Sequence, residues 1–267
     1  MLGIFEKPST RTRISLEVAA NQLGGMKVIY TNPQELQLGG RGGETVEDTA
    51  RVVSRIVDGI MARVYSHSSL VKLAENSDVP VINALSDECH PTQVLADALT
   101  IWEKLGRLEG VKLAFVGDGD NNMSHSLMQM GAKLGMEVRI VSPPKGYWPG
   151  KKYLEPSEDD ARRSGGSIMV TDNVEEGVKG VDVVYTDVWV SMGGFEKEAE
   201  ERMKIFKPYQ VNSRLMDLAG GKNAIFMHCL PAHRGGYEVT DDVIDSPRSV
   251  VWDEAENRMH TIKAILA

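Results

Sequence analysis

Apolar and polar positions alternate along this chain with two different periods. Val111-Lys112-Leu113-Ala114-Phe115-Val116 is a short, nearly continuous apolar run stopped by Gly117-Asp118-Gly119, the pattern of a strand buried on both faces. Met123, Leu127, Met130 and Leu134 then recur at spacings of three and four before Gly135, which predicts an amphipathic helix with a glycine stop. Further strands are expected at residues 137–141, 168–171, 181–186, 224–230 and 249–252, with an acidic helix before the strand at 181–186. The first hundred residues repeat the scheme more compactly. Strands are expected there at 26–30, 59–64 and 79–83, and helices at 13–23, 46–57 and 69–75. A long helix over 93–105 ends at Gly106, and a last one covers 253–267. Strands alternating with helices at this spacing predict parallel sheets covered on both faces. The expected fold is therefore α/β, with two doubly wound domains, each a central parallel sheet flanked by helices. Their expected extents are 1–106 and 107–252, with helix 253–267 packing back on the first.

Composition agrees with two domains, since 267 residues at about 150 per domain give just under two. Hydrophobic residues at 42% and charged residues at 25% are ordinary globular values. Thirty basic against 38 acidic residues leave a net charge of −8, which disfavours nucleic acid as a partner while leaving room for a local anion pocket. No apolar run approaches the ~20 residues of a membrane span. The first residues show neither a signal-peptide nor a transit-peptide layout. Two distant cysteines, Cys89 and Cys229, are too few for a disulfide framework or a zinc site. A reducing, cytoplasmic setting is expected, with no cofactor and no metal.

Five stretches carry candidate chemistry. Ser9-Thr10-Arg11-Thr12-Arg13 precedes a helical pattern, and a helix start with free N–H groups, hydroxyls and arginines suits a phosphate. The plain alternative is a capped helix with solvated arginines. Cys89-His90-Pro91-Thr92-Gln93 opens the long helix, and His90 and Gln93, three apart, can project toward one spot. Gly117-Asp118-Gly119-Asp120-Asn121-Asn122 follows a strand, where ligands of α/β sheets bind, but it lacks the glycine spacing of a dinucleotide loop. Asp187 leads a loop with Gly193-Gly194, able to pair with an ammonium or simply to be solvated. His228-Cys229-Leu230-Pro231 closes another strand. A metal is discounted there because neighbours on a strand point to opposite faces, and a buried structural cysteine is the commoner case.

Taken in order, Phe5–Arg13, His90-Pro91-Thr92-Gln93, Asp187-Val188-Trp189-Val190-Ser191-Met192-Gly193, His228-Cys229-Leu230-Pro231 and Asp253-Glu254-Ala255-Glu256-Asn257-Arg258-Met259-His260 resemble the ornithine carbamoyltransferases over essentially the whole chain. The S-M-G loop and H-C-L-P set that group apart from the aspartate enzymes, which carry leucine where Cys229 stands. The resemblance implies transfer of the carbamoyl group of carbamoyl phosphate to the δ-amine of L-ornithine, through a tetrahedral intermediate with domain and loop closure, in a homotrimer or an assembly of trimers. It implies phosphate binding by Ser9, Thr10, Arg11 and Thr12, and by Gln37 of a neighbouring subunit. Arg63, His90 and Gln93 would polarise the carbamoyl oxygen, with Cys229, the Leu230 backbone and Arg258 near the same group. Ornithine would meet Asn122, Asp187, Ser191 and Met192. Arg63, His90, Cys229 and Arg258 are the expected catalytic set, and a Cys229 thiolate beside Asp187 would favour amine deprotonation without a covalent intermediate. Only eight residues precede Ser9, so the family's initial helix and first strand are expected to be missing. The stretch 38–43, richer in glycine than the family's counterpart, is expected to be mobile. Putrescine as the amine is disfavoured by the S-M-G loop. A nicotinamide oxidoreductase is disfavoured by the missing glycine fingerprint, and a non-catalytic paralogue by the intact motifs.

Overall fold

The structure, a computed structural model, describes residues 1–36, 43–144, 146–189 and 196–267. The chain divides into two compact units, Met1–Ala96 with Glu256–Ala267, and Asp97–Ala255. Both divisions fall inside helices.

In the first unit, strands β1 (Leu2–Phe5), β2 (Ile29–Thr31), β3 (Ile60–Arg63) and β4 (Val81–Leu85) form a parallel sheet of order β2-β1-β3-β4. Helices α1 (Thr10–Gln22), α2 (Val46–Val53) and α3 (His67–Glu75) connect them, and α4 (Pro91–Leu105) follows. Alternation along β3 separates the two faces. Ile60 and Ala62 pack with Leu2, Ile4, Ala50, Leu70 and Leu73, while Met61 packs with Leu16, Ala19, Ala84 and Ile262. Each fully buried aliphatic side chain of this kind contributes roughly 1.5–3 kcal/mol. β1 corrects the expectation that the first strand is missing: Leu2-Gly3-Ile4-Phe5 is an interior strand paired on both sides. β2 begins later than expected, after the positive-φ pair Gly24-Gly25.

The second unit carries β5 (Lys112–Val116), β6 (Glu137–Val141), β7 (Ser167–Thr171), β8 (Val183–Thr186) and β9 (Ile225–His228), parallel and ordered β7-β6-β5-β8-β9. Its helices are α5 (Asn122–Lys133), α6 (Lys151–Ser164), α7 (Val174–Val178), α8 (Glu196–Phe206), α9 (Ser213–Leu218) and α10 (Asp241–Ile244), and α11 (Val251–Leu266) closes the chain. The strand expected at 249–252 is corrected. Ser249 makes one isolated bridge to Phe226, and α11 starts at Val251 with Asp253 and Glu254 in its first turn, where acidic groups suit the helix dipole.

In both sheets the order reverses beside the strand that comes first in sequence, between β1 and β3 and between β5 and β8. The carboxyl ends of such strands form the natural ligand crevice of an open α/β sheet.

Candidate active site

In the first unit, residues from four elements meet at the carboxyl ends of β1, β3 and β4. Ser9 caps α1, its extended backbone (φ −156°) turning the side-chain oxygen to accept from the Thr12 N–H at 3.2 Å. A helix start of this kind, with N–H groups at its mouth, suits an anion. Arg63 ends β3 just after a register shift at Ala62/Arg63. His90 and Gln93 lie at the start of α4, both buried. Arg258, on α11 and 2% exposed, ties three of these pieces together. Its guanidinium donates to Gln93 Oε1 at 2.6 Å and to the hydroxyls of Thr92 and Thr12, both at 3.2 Å. Arginine has only donors, so these bonds turn the Gln93 oxygen toward Arg258. Burial, then Arg258, Arg63 and Arg11, hold the His90 imidazole well below its ordinary pKa. The ring is therefore neutral at physiological pH, a hydrogen-bonding group among three cations. Thr92, which lies 3.4 Å from His90 Nδ1, was overlooked as a site residue although it stands inside H-P-T-Q.

In the second unit, Asn122 opens α5 behind a capping box in which Asn121 Oδ1 accepts from Met123 and Ser124 N–H at 2.9 and 2.8 Å. The preceding turn needs glycine. Gly117 has φ +146°, and a Cβ on Gly119 would stand 2.7 Å from both the Tyr147 carbonyl oxygen and Ile140 Cγ2. Asp187 follows β8 and Cys229 follows β9. The thiol Sγ donates to Asp187 Oδ1 at 3.1 Å. Burial and the Asp187 carboxylate push the Cys229 pKa well up, which corrects the thiolate expectation: the group is a neutral thiol.

The expectation that His228 and Cys229 face apart is corrected too. β9 ends at His228, and Leu230 turns the chain with φ 55° before a cis bond to Pro231. Donor atoms of Asp187, His228 and Cys229 lie within 4.8 Å of one another. The thiol is engaged by Asp187 and His228 Nδ1 by the Leu230 N–H at 2.8 Å.

Beneath Cys229 is a set of buried acids that sequence reasoning did not single out. Glu254 accepts from Tyr185 Oη at 3.0 Å and from the His228 N–H at 2.9 Å. Burial raises its pKa, opposed by hydrogen bonds that include one from Asp97. Gln37, Ser191 and Met192 lie outside the described residues. Trp189 is buried against Phe206, and its carbonyl accepts from Arg202 Nε at 2.6 Å.

Residues 1–103 match the family description "Aspartate/ornithine carbamoyltransferase, carbamoyl-P binding domain", and residues 109–267 match its "Asp/Orn binding domain". The chain belongs to the aspartate/ornithine carbamoyltransferase family. Within that family it is similar to the ornithine carbamoyltransferase of Pyrobaculum calidifontis, 62% identical over 98% of this chain and 82% of that protein. It is also similar to the anabolic ornithine carbamoyltransferase of Pyrococcus furiosus, 59% identical over 99% of this chain and 81% of that one. A solved ornithine carbamoyltransferase structure from P. furiosus superimposes with a TM-score of 0.94 at 58% identity, covering 100% of this chain and 82% of that one. The enzyme from Gloeobacter violaceus gives 0.87 at 44% identity, covering 100% and 84%. Arg11, Arg63, His90 and Gln93 fall within the stretch matched to the carbamoyl-P binding domain, and Asp187, Cys229 and Arg258 within the stretch matched to the Asp/Orn binding domain.

Proposed function

We propose that this chain transfers the carbamoyl group of carbamoyl phosphate to the δ-amine of L-ornithine, giving L-citrulline and inorganic phosphate. The observation that carries the choice of amine is the Cys229–Asp187 pair. A carboxylate with a neutral thiol suits an ammonium or amine and repels the second carboxylate of aspartate. The names of the relatives at about 60% identity point the same way.

In this reading the mouth of α1, with Ser9, Thr10, Arg11 and Thr12, takes the phosphate. Arg63, neutral His90 and Gln93 hydrogen-bond the carbamoyl oxygen as it becomes an oxyanion, with Arg258 beside them. Asn122, Ser191 and Met192 take the ornithine carboxylate and α-amine together with Asp187. Cys229 and the Leu230 backbone stand at the carbamoyl group. The δ-amine, like a lysine amine with a pKa of about 10.4, must lose a proton before it attacks. The Cys229 thiol, already protonated, orients the amine rather than accepting that proton. Among the described residues no helix is long and apolar enough to cross a membrane; a cytoplasmic homotrimer, with Gln37 reaching a neighbour's phosphate, completes the proposal.

Incubating the purified chain with carbamoyl phosphate and ornithine, aspartate or putrescine, and measuring ureido product and phosphate, tests it. Citrulline from ornithine alone, lost in Arg11→Ala, is the expected result. Product from aspartate or putrescine at a comparable rate would overturn the choice of amine. A folded chain that binds carbamoyl phosphate yet turns over no amine would favour a binding-only role.

A further inference from the structure

We propose that Glu238 and His228 are positioning residues, setting the Leu230 backbone and the Cys229 thiol for the transfer proposed above, on which this inference rests. His228 is fully buried at the end of β9 and is held from three directions. Its backbone N–H donates to Glu254 Oε2 at 2.9 Å. Its ring Nδ1 accepts the Leu230 N–H at 2.8 Å, so Nδ1 carries no proton and the ring proton sits on Nε2. That nitrogen faces Glu238 Oε1 at 3.4 Å.

Glu238 is itself fully buried, and the loop that carries it is pinned. Its carbonyl accepts from the Val211 N–H at 2.9 Å, and the Thr240 N–H donates to Val211 O at 3.0 Å. Gln210 Nε2 donates to Tyr237 O at 2.7 Å. The Glu238 carboxylate also accepts the His233 N–H at 2.6 Å, with His233 Nδ1 3.4 Å away. Such a fixed anion selects the Nε2–H tautomer, in the way an outer carboxylate orients an imidazole elsewhere.

The tautomer matters because of Leu230. Its φ of 55° is a conformation that a branched L-residue adopts only against a cost, so its N–H needs a fixed acceptor. With the proton on Nδ1 instead, two donors would face each other and the turn would relax, moving Cys229 and Leu230 together. A merely structural acid–imidazole pair would be indifferent to which nitrogen meets Leu230.

The test uses the full chain and the variants His228→Asn, His228→Gln and Glu238→Gln. Asparagine places an amide oxygen near the position of Nδ1, whereas glutamine reaches toward Nε2 and offers Leu230 no acceptor. Thermal unfolding and inorganic phosphate affinity, which the proposed function places at the mouth of α1, check folding. Displacement of a catalytic group by about 1 Å costs on the order of 100-fold. His228→Gln and Glu238→Gln are therefore expected to lose roughly 10- to 100-fold in kcat, with inorganic phosphate affinity unchanged. His228→Asn should lose less than about threefold. The ¹⁵N spectrum of wild-type His228 should show an unprotonated, hydrogen-bonded Nδ1, and Glu238→Gln should mix the tautomers. Equal kcat losses in folded His228→Asn and His228→Gln, undiminished kcat in Glu238→Gln, or a protonated Nδ1 in wild type would each overturn the proposal. If the wild-type chain makes no citrulline, the proposed function fails separately, and the nitrogen spectrum still decides the tautomer.

Discussion

Replacing Glu254 with Gln tests whether the buried acid under Cys229 stores pH-dependent strain. Tyr185 Oη at 3.0 Å and the His228 N–H at 2.9 Å converge on this carboxylate, with a further hydrogen bond from Asp97. Burial nevertheless raises its pKa above the ordinary 4.5. The folded state therefore keeps a proton that the unfolded chain gives up near pH 4.5. Stability from this group is complete below that value and is lost as pH rises toward the folded pKa, with a slope of at most about 1.4 kcal/mol per pH unit for one proton. Glutamine cannot ionise, so Glu254→Gln should lack this falling limb. At neutral pH two effects oppose each other: the variant is spared the buried charge, but its amide NH₂ confronts one of the donors, at about 1–3 kcal/mol. The absolute shift is consequently small, and the difference between the two pH curves carries the information. Urea unfolding midpoints at fixed protein concentration, taken from pH 4 to 8, measure it. Wild-type and variant curves that run parallel across this range would refute the reasoning. Glu238 provides a control of opposite sign. Burial raises its pKa, but the His228 ring beside it and the bond from the His233 N–H outweigh that and hold it below 4.5. Its contribution is present at neutral pH and lost as pH falls through the folded value.

Three further expectations can be checked separately. Arg258→Met removes the largest charge contribution that keeps His90 neutral, so the His90 ring, followed by NMR, should titrate at higher pH in the variant; an unmoved titration would refute the cluster's electrostatics. Cys229, as a protonated thiol bonded to Asp187, should react with iodoacetamide more slowly than a free thiol at pH 8 and faster in Asp187→Asn, and rapid wild-type alkylation would restore the thiolate. Gly119→Ala puts a Cβ 2.7 Å from a backbone oxygen, which should cost about 1–3 kcal/mol as a fall in Tm and weaken ornithine binding through the displaced Asn122; a variant as stable as wild type would mean that the turn yields freely.

Which parts of this could be read from the sequence depends on how far apart the interacting groups stand. Chemistry confined to one turn was visible: Ser9 before α1, His90 and Gln93 on the first turn of α4, Asn122 behind a glycine turn. Each sits where a strand hands over to a helix, and period and punctuation mark that place. The apolar β1 was missed because four residues beside the chain's start carry no period of their own. Val250-Val251-Trp252 has strand composition, while the acids at the start of α11 decide for the helix. The larger errors are electrostatic. A carboxylate in a sequence reads as solvated, since unpaired acids are almost never buried, and Glu254 escapes that rule through partners that include donors 69 and 26 residues away. Burial, and then Asp187 42 residues earlier, hold Cys229 as a thiol. Arg258 reaches Thr12 across 246 residues. Residue type and local spacing fix what a side chain can do, but its protonation state is set by partners that only the sheet order brings to the same strand ends. The charge state of a motif such as H-C-L-P therefore has to be argued from the strands beside it, β8 for Cys229 and the loop carrying Glu238 for His228, before any role in proton transfer is assigned to it.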